Sequence, residues 1–165
     1  MLVSMNDEDY LTFDDWGGHI DGGWHTLSID EWVYVILGRP NATAKRGTAT
    51  VCGVHGLVLL PDSWSGGTFH SDTDGWNMNV YEASSWSNME AAGAVFLPAA
   101  GFRYGTEMSH VGMIGGYWSS SPNFEDFVYY IEDFAYDMNF YEDGVHYFGY
   151  YIRYFGRSVR LVQDY

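Results

Sequence analysis

Several constellations in this chain carry residue types that could do chemistry, and each lacks the spacing its chemistry requires. Six histidines, His19, His25, His55, His70, His110 and His146, are scattered along the sequence. None forms a His-x-x-x-His pair beside a Glu, the arrangement that puts two imidazoles on one zinc ion. Ser71-Asp-Thr-Asp-Gly75 begins like a calcium loop, but the remaining oxygen ligands and the closing Glu are missing. A solvated turn, with Asp bonding to nearby backbone, accounts for it. The serines of Tyr117-Trp-Ser-Ser-Ser-Pro122 are not framed by a Gly-x-Ser-x-Gly elbow. Glu125/Asp126 and Glu132/Asp133 are carboxylate pairs of the residue type glycosidases use. Neighbouring acids on a strand, however, point to opposite faces. Cys52 is the only cysteine, which excludes an internal disulfide, a thiolate zinc site and a redox pair. It lies in the apolar run Ala49-Thr-Val-Cys-Gly-Val54, where a buried, inert thiol is expected. The reading is therefore of a protein that is not an enzyme, with no catalytic residue, no metal ligand and no cofactor.

Binding chemistry is another matter. Between Asn123 and Phe155, 14 of 33 residues are Phe or Tyr, while all seven Trp precede that segment. Some of these rings belong to a core: from Ala135 the pattern alternates, with Tyr136, Met138 and Phe140 on one face and Asp137, Asn139 and Tyr141 on the other. That is a half-buried antiparallel strand with a decorated outer face. Tyr147, Phe148, Tyr150, Tyr151, Tyr154 and Phe155 are too dense in sequence to face inward together. Gly144, Gly149 and Gly156 are expected to break this stretch into loops. Tyr interleaved with small and acidic residues is the composition of an antibody-like combining surface, because Tyr gives large rigid contact area at low entropic cost.

Bulk properties narrow the partners. The chain has 165 residues and a formal charge of -15, from 22 acids against 7 bases. Phosphate backbones and anionic membranes would repel it, so no nucleic acid and no direct membrane insertion are expected. Apolar residues make up 47 %, enough for one core, and no apolar run reaches the length of a membrane span. No stretch has the layout of a signal peptide.

The elements that must position such a surface are legible in part. Residues 1–23 read as a polar, acidic lead-in, with one short strand near Tyr10–Phe13. Ser28-Ile-Asp-Glu31 is a capping box opening a helix whose Trp32, Val35 and Ile36 share one face. Gly38 and Pro40 stop it. Thr48–Val54 and Leu57–Leu60 read as buried strands around a glycine turn, followed by a loop over 63–79. Ser84–Ala92 reads as a second helix with Trp86 and Met89 on its apolar side. Val95–Leu97, Gly101–Tyr104 and Gly116–Ser120 are strand candidates. Arg157–Val162 closes the chain as a strand with Val159 and Leu161 inside. With no linker and no internal repeat, this is one α+β domain over 1–165: lead-in, scaffold over 24–122, an aromatic region over 123–156, and a closing strand over 157–165.

Five strings, in this order, resemble one family: Trp24-His-Thr-Leu-Ser-Ile-Asp-Glu-Trp32, Gly56-Leu-Val-Leu-Leu-Pro-Asp-Ser-Trp64, Met89-Glu-Ala-Ala-Gly-Ala-Val-Phe-Leu-Pro-Ala-Ala-Gly101, Gly116-Tyr-Trp-Ser-Ser-Ser121 and Gly156-Arg-Ser-Val-Arg-Leu-Val162. They are similar to the Fibrobacter succinogenes major paralogous domain, a family of gut Bacteroidetes and their phages, over roughly Phe13 to the end. The resemblance implies a C-type-lectin-like fold: two helices, short antiparallel strands and a loop-rich ligand face. Within that fold the composition resembles the variable proteins of diversity-generating retroelements, in which adenine-directed copying errors rewrite the end of the gene. The family pattern falls on Ala135, Tyr136, Met138, Phe140, Val145, Arg153, Gly156, Ser158, Val159 and Arg160 as scaffold. The resemblance then implies a variable, ligand-binding set at Asp137, Asn139, Tyr141, Asp143, His146, Tyr147, Phe148, Tyr150, Tyr151, Ile152, Tyr154 and Phe155. Residues 124–134 are longer than the family's usual connection, and Phe124, Asp126, Phe127, Tyr130 and Asp133 fall there. The implied partner is a protein or glycan receptor on a target cell. The implied setting is a phage tail or a bacterial surface, and homo-oligomers are known among related tail-tip proteins. The alternative is a fixed-specificity surface or adhesion domain of the same fold. The enzymes of this fold that generate formylglycine use a cysteine pair, which one cysteine cannot supply. The sugar-binding lectins' Glu-Pro-Asn or Gln-Pro-Asp is also missing.

Overall fold

The computed structural model describes residues 20, 22–71, 75–122 and 134–164. The expected strand near Tyr10–Phe13, the centre of the 71–75 turn and the residues at 123–133 lie outside them. The described residues form a mixed α/β architecture with two α-helices and four small sheets. No helix among them is long and apolar enough to cross a membrane.

The chain enters through β1 (Trp24–Thr26) and the capping box predicted at Ser28. The Ser28 N–H donates to the Glu31 carboxylate at 2.8 Å, and the Glu31 N–H donates back to the Ser28 hydroxyl at 3.3 Å. Helix α1 spans Ile29–Val33, and the chain then widens into a π-turn over Tyr34–Gly38. The Arg39 N–H closes that turn on the Tyr34 carbonyl at 2.9 Å. Trp32 and Ile36 are buried from this stretch, as their spacing predicts.

A four-stranded sheet follows, ordered β4-β2-β3-β5, from β2 (Arg46–Val51), β3 (Val54–Leu59), β4 (Val80–Tyr81) and β5 (Val95–Pro98). Both its faces are covered, which is why β3 reads as a continuous apolar run. Leu57 and Leu59 join the core with Trp32, Leu97 and Trp76, while Val58 and Leu60 pack under α2 (Ala83–Ala91) with Met89. Two expectations are corrected here. The β2–β3 turn is Cys52-Gly53, with φ of 50° and 81°, and not the glycine at position 56. A two-residue hairpin loop of type I′ needs left-handed backbone at both centres. Cys52 is therefore exposed at a turn and not buried in a strand. Gly56 lies inside β3, where an added Cβ would meet the Leu97 carbonyl oxygen at 2.5 Å.

The loop before β4 is ordered by Asn79, which is buried. Its amide donates to the Thr48 and His70 carbonyls at 2.9 and 2.8 Å and accepts from the His70 N–H at 3.0 Å. One polar side chain thus replaces a ladder of backbone bonds.

The second half of the chain is antiparallel. β6 (Phe102–Tyr104) pairs with β7 (Glu107–Ser109). β8 (Gly115–Pro122), β9 (Phe134–Tyr141) and β10 (Gly144–Ile152) form a three-stranded sheet with β9 in the centre. Tyr136, Met138 and Phe140 face the core, and burying Met138 and Phe140 completely stabilises the fold by about 1.5–3 kcal/mol each. The region over 144–152, expected as loops, is a strand with one bulge between His146 and Gly149. Its Tyr and Phe residues suit a pleated surface, and the glycines serve turn and packing positions instead of breaking it. The closing strand β11 (Leu161–Gln163) is shorter than expected and pairs with β1, joining the two ends of the described chain. Val159 precedes it and is 40 % exposed, not inside; Leu161 is half-buried.

Candidate ligand-facing surface

The surface is built on the face of β9 opposite the core. Residues directly opposite in an antiparallel ladder share a face. Asp137 lies opposite Trp118 on one side and Gly149 on the other, and Asn139 lies opposite Gly116 and His146. These residues form the floor.

Arg157 is laid across that floor by two backbone clamps. Arg103 and Gly156 exchange N–H to carbonyl bonds of 2.7 and 2.8 Å. One residue beyond Arg157, the Ser158 carbonyl accepts from the Trp118 N–H at 3.0 Å and the Ser158 N–H donates to the Gly116 carbonyl at 3.0 Å. Held between β6 and β8, the Arg157 guanidinium donates to the Asp137 carboxylate in a short ion pair. The side chains are 6 % and 0 % exposed. Two glycines make the room: an added Cβ at Gly149 would sit 2.5 Å from Asp137 Oδ1, and one at Gly116 would collide with the Arg157 guanidinium. Among the described residues Asp137 Oδ1 and Arg157 Nε find no hydrogen-bond partner. Burial pushes the Asp137 carboxyl above the ordinary Asp range, against the opposing pull of Arg157 and of hydrogen bonds from Asn139 and Arg157.

The guanidinium is also the centre of an aromatic cluster. It lies 4.4 Å from the Tyr151 ring centroid and 5.6 Å from that of Trp118. Tyr151 meets Phe155 edge-on at 4.8 Å, and Phe155 lies 5.1 Å from Tyr154, 5.1 Å from Tyr104 and 5.4 Å from Phe102. Phe102 stacks on His110 at 5.2 Å. Rings from β6, β8, β10 and the 153–156 turn thus form one connected patch. Tyr154 is 63 % and Tyr104 55 % exposed at its outer edge. Beyond His110 opens a cleft of about 810 Å³ lined by Trp76, Met113, Tyr141, Glu142 and Asp143.

The structure distributes the twelve expected positions unevenly. Asp143, His146, Phe148, Tyr150, Tyr151 and Tyr154 are exposed; Asn139, Tyr141, Ile152 and Phe155 are half-buried. Asp137 is corrected: alternation puts it off the core face, but Arg157 roofs it over, so it is interior. Tyr147 is corrected as well, because it packs against the core that holds Trp32 and Phe140. Nor do the exposed rings make a single face. Tyr150 pairs with Tyr136 and packs on Phe134 at 5.9 Å, and Phe148 lies 4.9 Å from Tyr136. This second group sits across β9–β10 from the Arg157 cluster. Phe124, Asp126, Phe127, Tyr130 and Asp133, like the Glu125 and Glu132 carboxylates, lie outside the described residues.

Sequence reasoning missed Arg157, Trp118, Phe102 and Tyr104 as parts of this surface. Alternation along one strand cannot report residues delivered by other strands. The available signal was Gly116 and Gly149, glycines inside strand patterns, which mark close approach of another group. Three of the described histidines have packing roles: His55 stacks on Trp76 at 5.1 Å, His146 meets Tyr141 edge-on at 5.4 Å, and His110 lies under Phe102. Among the described residues no group of three or more His, Cys, Asp or Glu is placed to hold a metal ion. Set against protein-family models, curated proteins and solved structures, the chain finds no match.

Proposed function

We propose that the protein is a non-catalytic binding module of C-type-lectin-like fold, and that the aromatic patch around Arg157 is its ligand-facing surface. One observation carries this reading: Tyr104, Tyr151 and Tyr154 stand exposed on a floor fixed by a buried ion pair, two glycine slots and two backbone clamps. Exposed rings ordinarily cost solubility, and a connected patch on a rigid base is the arrangement of a binding hot spot. Rigidity matters because it removes the ordering cost that a flexible surface meets on binding.

The reading extends to a variable protein of a diversity-generating retroelement, displayed on a phage tail or bacterial surface against a protein or glycan receptor. The exposed set Asp143, His146, Phe148, Tyr150, Tyr151 and Tyr154 suits diversification, since none of these residues is itself a member of the core. The same burial map supports a fixed-specificity adhesion domain as the second reading. Asp137, Tyr147 and Phe155 are built into the packing, which limits how freely the segment can vary. Flanking DNA separates the two. A downstream near-copy of the segment, differing at adenines and beside a reverse transcriptase gene, would establish diversification. A unique segment with no such copy would leave the fixed domain.

A further inference from the structure

Charge and aromatic exposure coincide on this molecule, and their coincidence bears on the partner. Of the seven Lys and Arg, only Arg103 and Arg160 are exposed. The others are turned inward. Arg39 donates to the Val35 and Leu60 carbonyls at 2.9 and 2.8 Å, and Lys45 to Asp62 at 3.0 Å. Arg153 donates to the Phe134 carbonyl at 3.0 Å, Arg157 to Asp137, and Arg46 is half-buried. Every described acid except Asp137 is exposed. Among the described residues nine acids thus face solvent against two bases, so the exposed charge there is strongly negative.

Three of the exposed acids border the aromatic patch, against one exposed cation there, Arg103, whose Nε donates to the Gly105 carbonyl at 2.7 Å. Glu107 is the cross-strand partner of Tyr104 on the β6–β7 hairpin. Glu142 and Asp143 line the cleft that His110 shares with the patch. Tyr faces attract cations through the ring quadrupole, and carboxylates around them deepen that attraction. Inside the patch the protein already uses this chemistry once, with Arg157 against the Tyr151 ring.

Resting on the binding-module reading above, we infer that the partner surface is basic: a protein segment presenting arginine, seated over Tyr104 and Tyr154, with its remaining charge toward Glu107, Glu142 and Asp143. The acidic field steers the encounter, and the rings give the short-range preference for guanidinium over ammonium, which stacks less well. The same field disfavours acidic partners, including sialylated or sulfated glycans.

The test titrates the whole protein with a short oligoarginine peptide by calorimetry, with oligolysine and oligoglutamate of the same length alongside. The comparison variant is Tyr104→Ala/Tyr154→Ala, which leaves every charge in place and, with both rings exposed, leaves the fold intact; its circular dichroism and melting curve verify that. Oligoarginine is expected to bind more tightly than oligolysine, oligoglutamate not at all, and the double variant to lose about tenfold in affinity for oligoarginine. Equal binding by the double variant, or equal binding of the two basic peptides, would reduce the effect to net charge and overturn the inference. Failure of oligoarginine to bind would overturn it too. The binding-module reading would survive either result if a neutral target, selected from a displayed library, still lost affinity in the double variant.

Discussion

Arg157 reaches over the central strand of its sheet and pairs with Asp137 beneath it, and the two side chains are 6 % and 0 % exposed. The pair is the keystone between scaffold and surface: it rests on β9, and the Arg157 guanidinium lies against the Tyr151 and Trp118 rings. Breaking a buried pair leaves an uncompensated charge, so Arg157→Met is expected to destabilise the protein by about 3–5 kcal/mol near neutral pH. The pH dependence of that defect has a definite sign. Asp137 already titrates above its ordinary value of 3.8 because of burial, and Arg157 is the largest influence holding it down. Without Arg157 the folded protein keeps the Asp137 proton to still higher pH than the unfolded chain does. A raised folded-state value contributes stability below the unfolded value and loses it as pH rises through the folded one. Urea unfolding across pH should therefore show the Arg157→Met defect shrinking toward acid and growing toward neutrality. A constant defect would mean that packing, not charge, holds this site.

The glycine slots give an independent test of the same geometry. Gly149→Ala places a methyl group 2.5 Å from Asp137 Oδ1. Neither the carboxylate nor the strand can move without disturbing Arg157, so a loss of about 1–3 kcal/mol is expected. Gly67→Ala, at an open position with nothing within 4 Å, serves as the comparison and should change stability by less than about 0.5 kcal/mol. Equal effects in thermal melts would show that Gly149 has no special place.

Ring removal should separate stability from binding. Tyr154→Ala and Tyr104→Ala act on side chains that are 63 % and 55 % exposed. Each is expected to shift unfolding free energy by no more than about 0.5 kcal/mol, while weakening a selected ligand by about 2 kcal/mol. Tyr147→Ala is expected to do the reverse, since that ring packs on the core. Surface plasmon resonance beside a denaturation curve reads both quantities.

Cys52 occupies a left-handed position in the β2–β3 turn, with φ of 50°. An exposed thiol should react with a thiol-specific reagent in the native protein, one per chain, with no added denaturant. Cys52→Asn, which tolerates this backbone better, should be neutral or raise stability by up to about 1 kcal/mol. A thiol that reacts only after unfolding would return Cys52 to the interior.

How much of this was legible in the sequence follows from where each constraint acts. The Ser28–Glu31 cap, the stop near Gly38, the second helix and the core face of β9 are local patterns, and the structure contains them within a residue or two. The π-turn at Tyr34–Gly38 and the two-residue strand β4 carry no such pattern. Cys52-Gly53 does not read as a turn in the sequence because Cys is rare at a left-handed position and the flanking run is apolar. β10 reads as loops in the sequence because glycines punctuate it, yet Gly149 is there to admit Asp137. For the surface, alternation correctly assigned which side of β9 each residue faces, but not that a residue twenty positions later would cover Asp137. Burial in such a case is a property of two distant segments, and only their packing reveals it.

Sequencing sibling genes across codons 134–160 tests the central claim most directly. The account predicts changes concentrated at Asp143, His146, Phe148, Tyr150, Tyr151 and Tyr154, with Asp137, Gly149 and Arg157 unchanged together because they interlock. Free variation at Asp137 or Gly149 against a constant Arg157, or a segment that never varies while binding is lost by changes elsewhere, would contradict it.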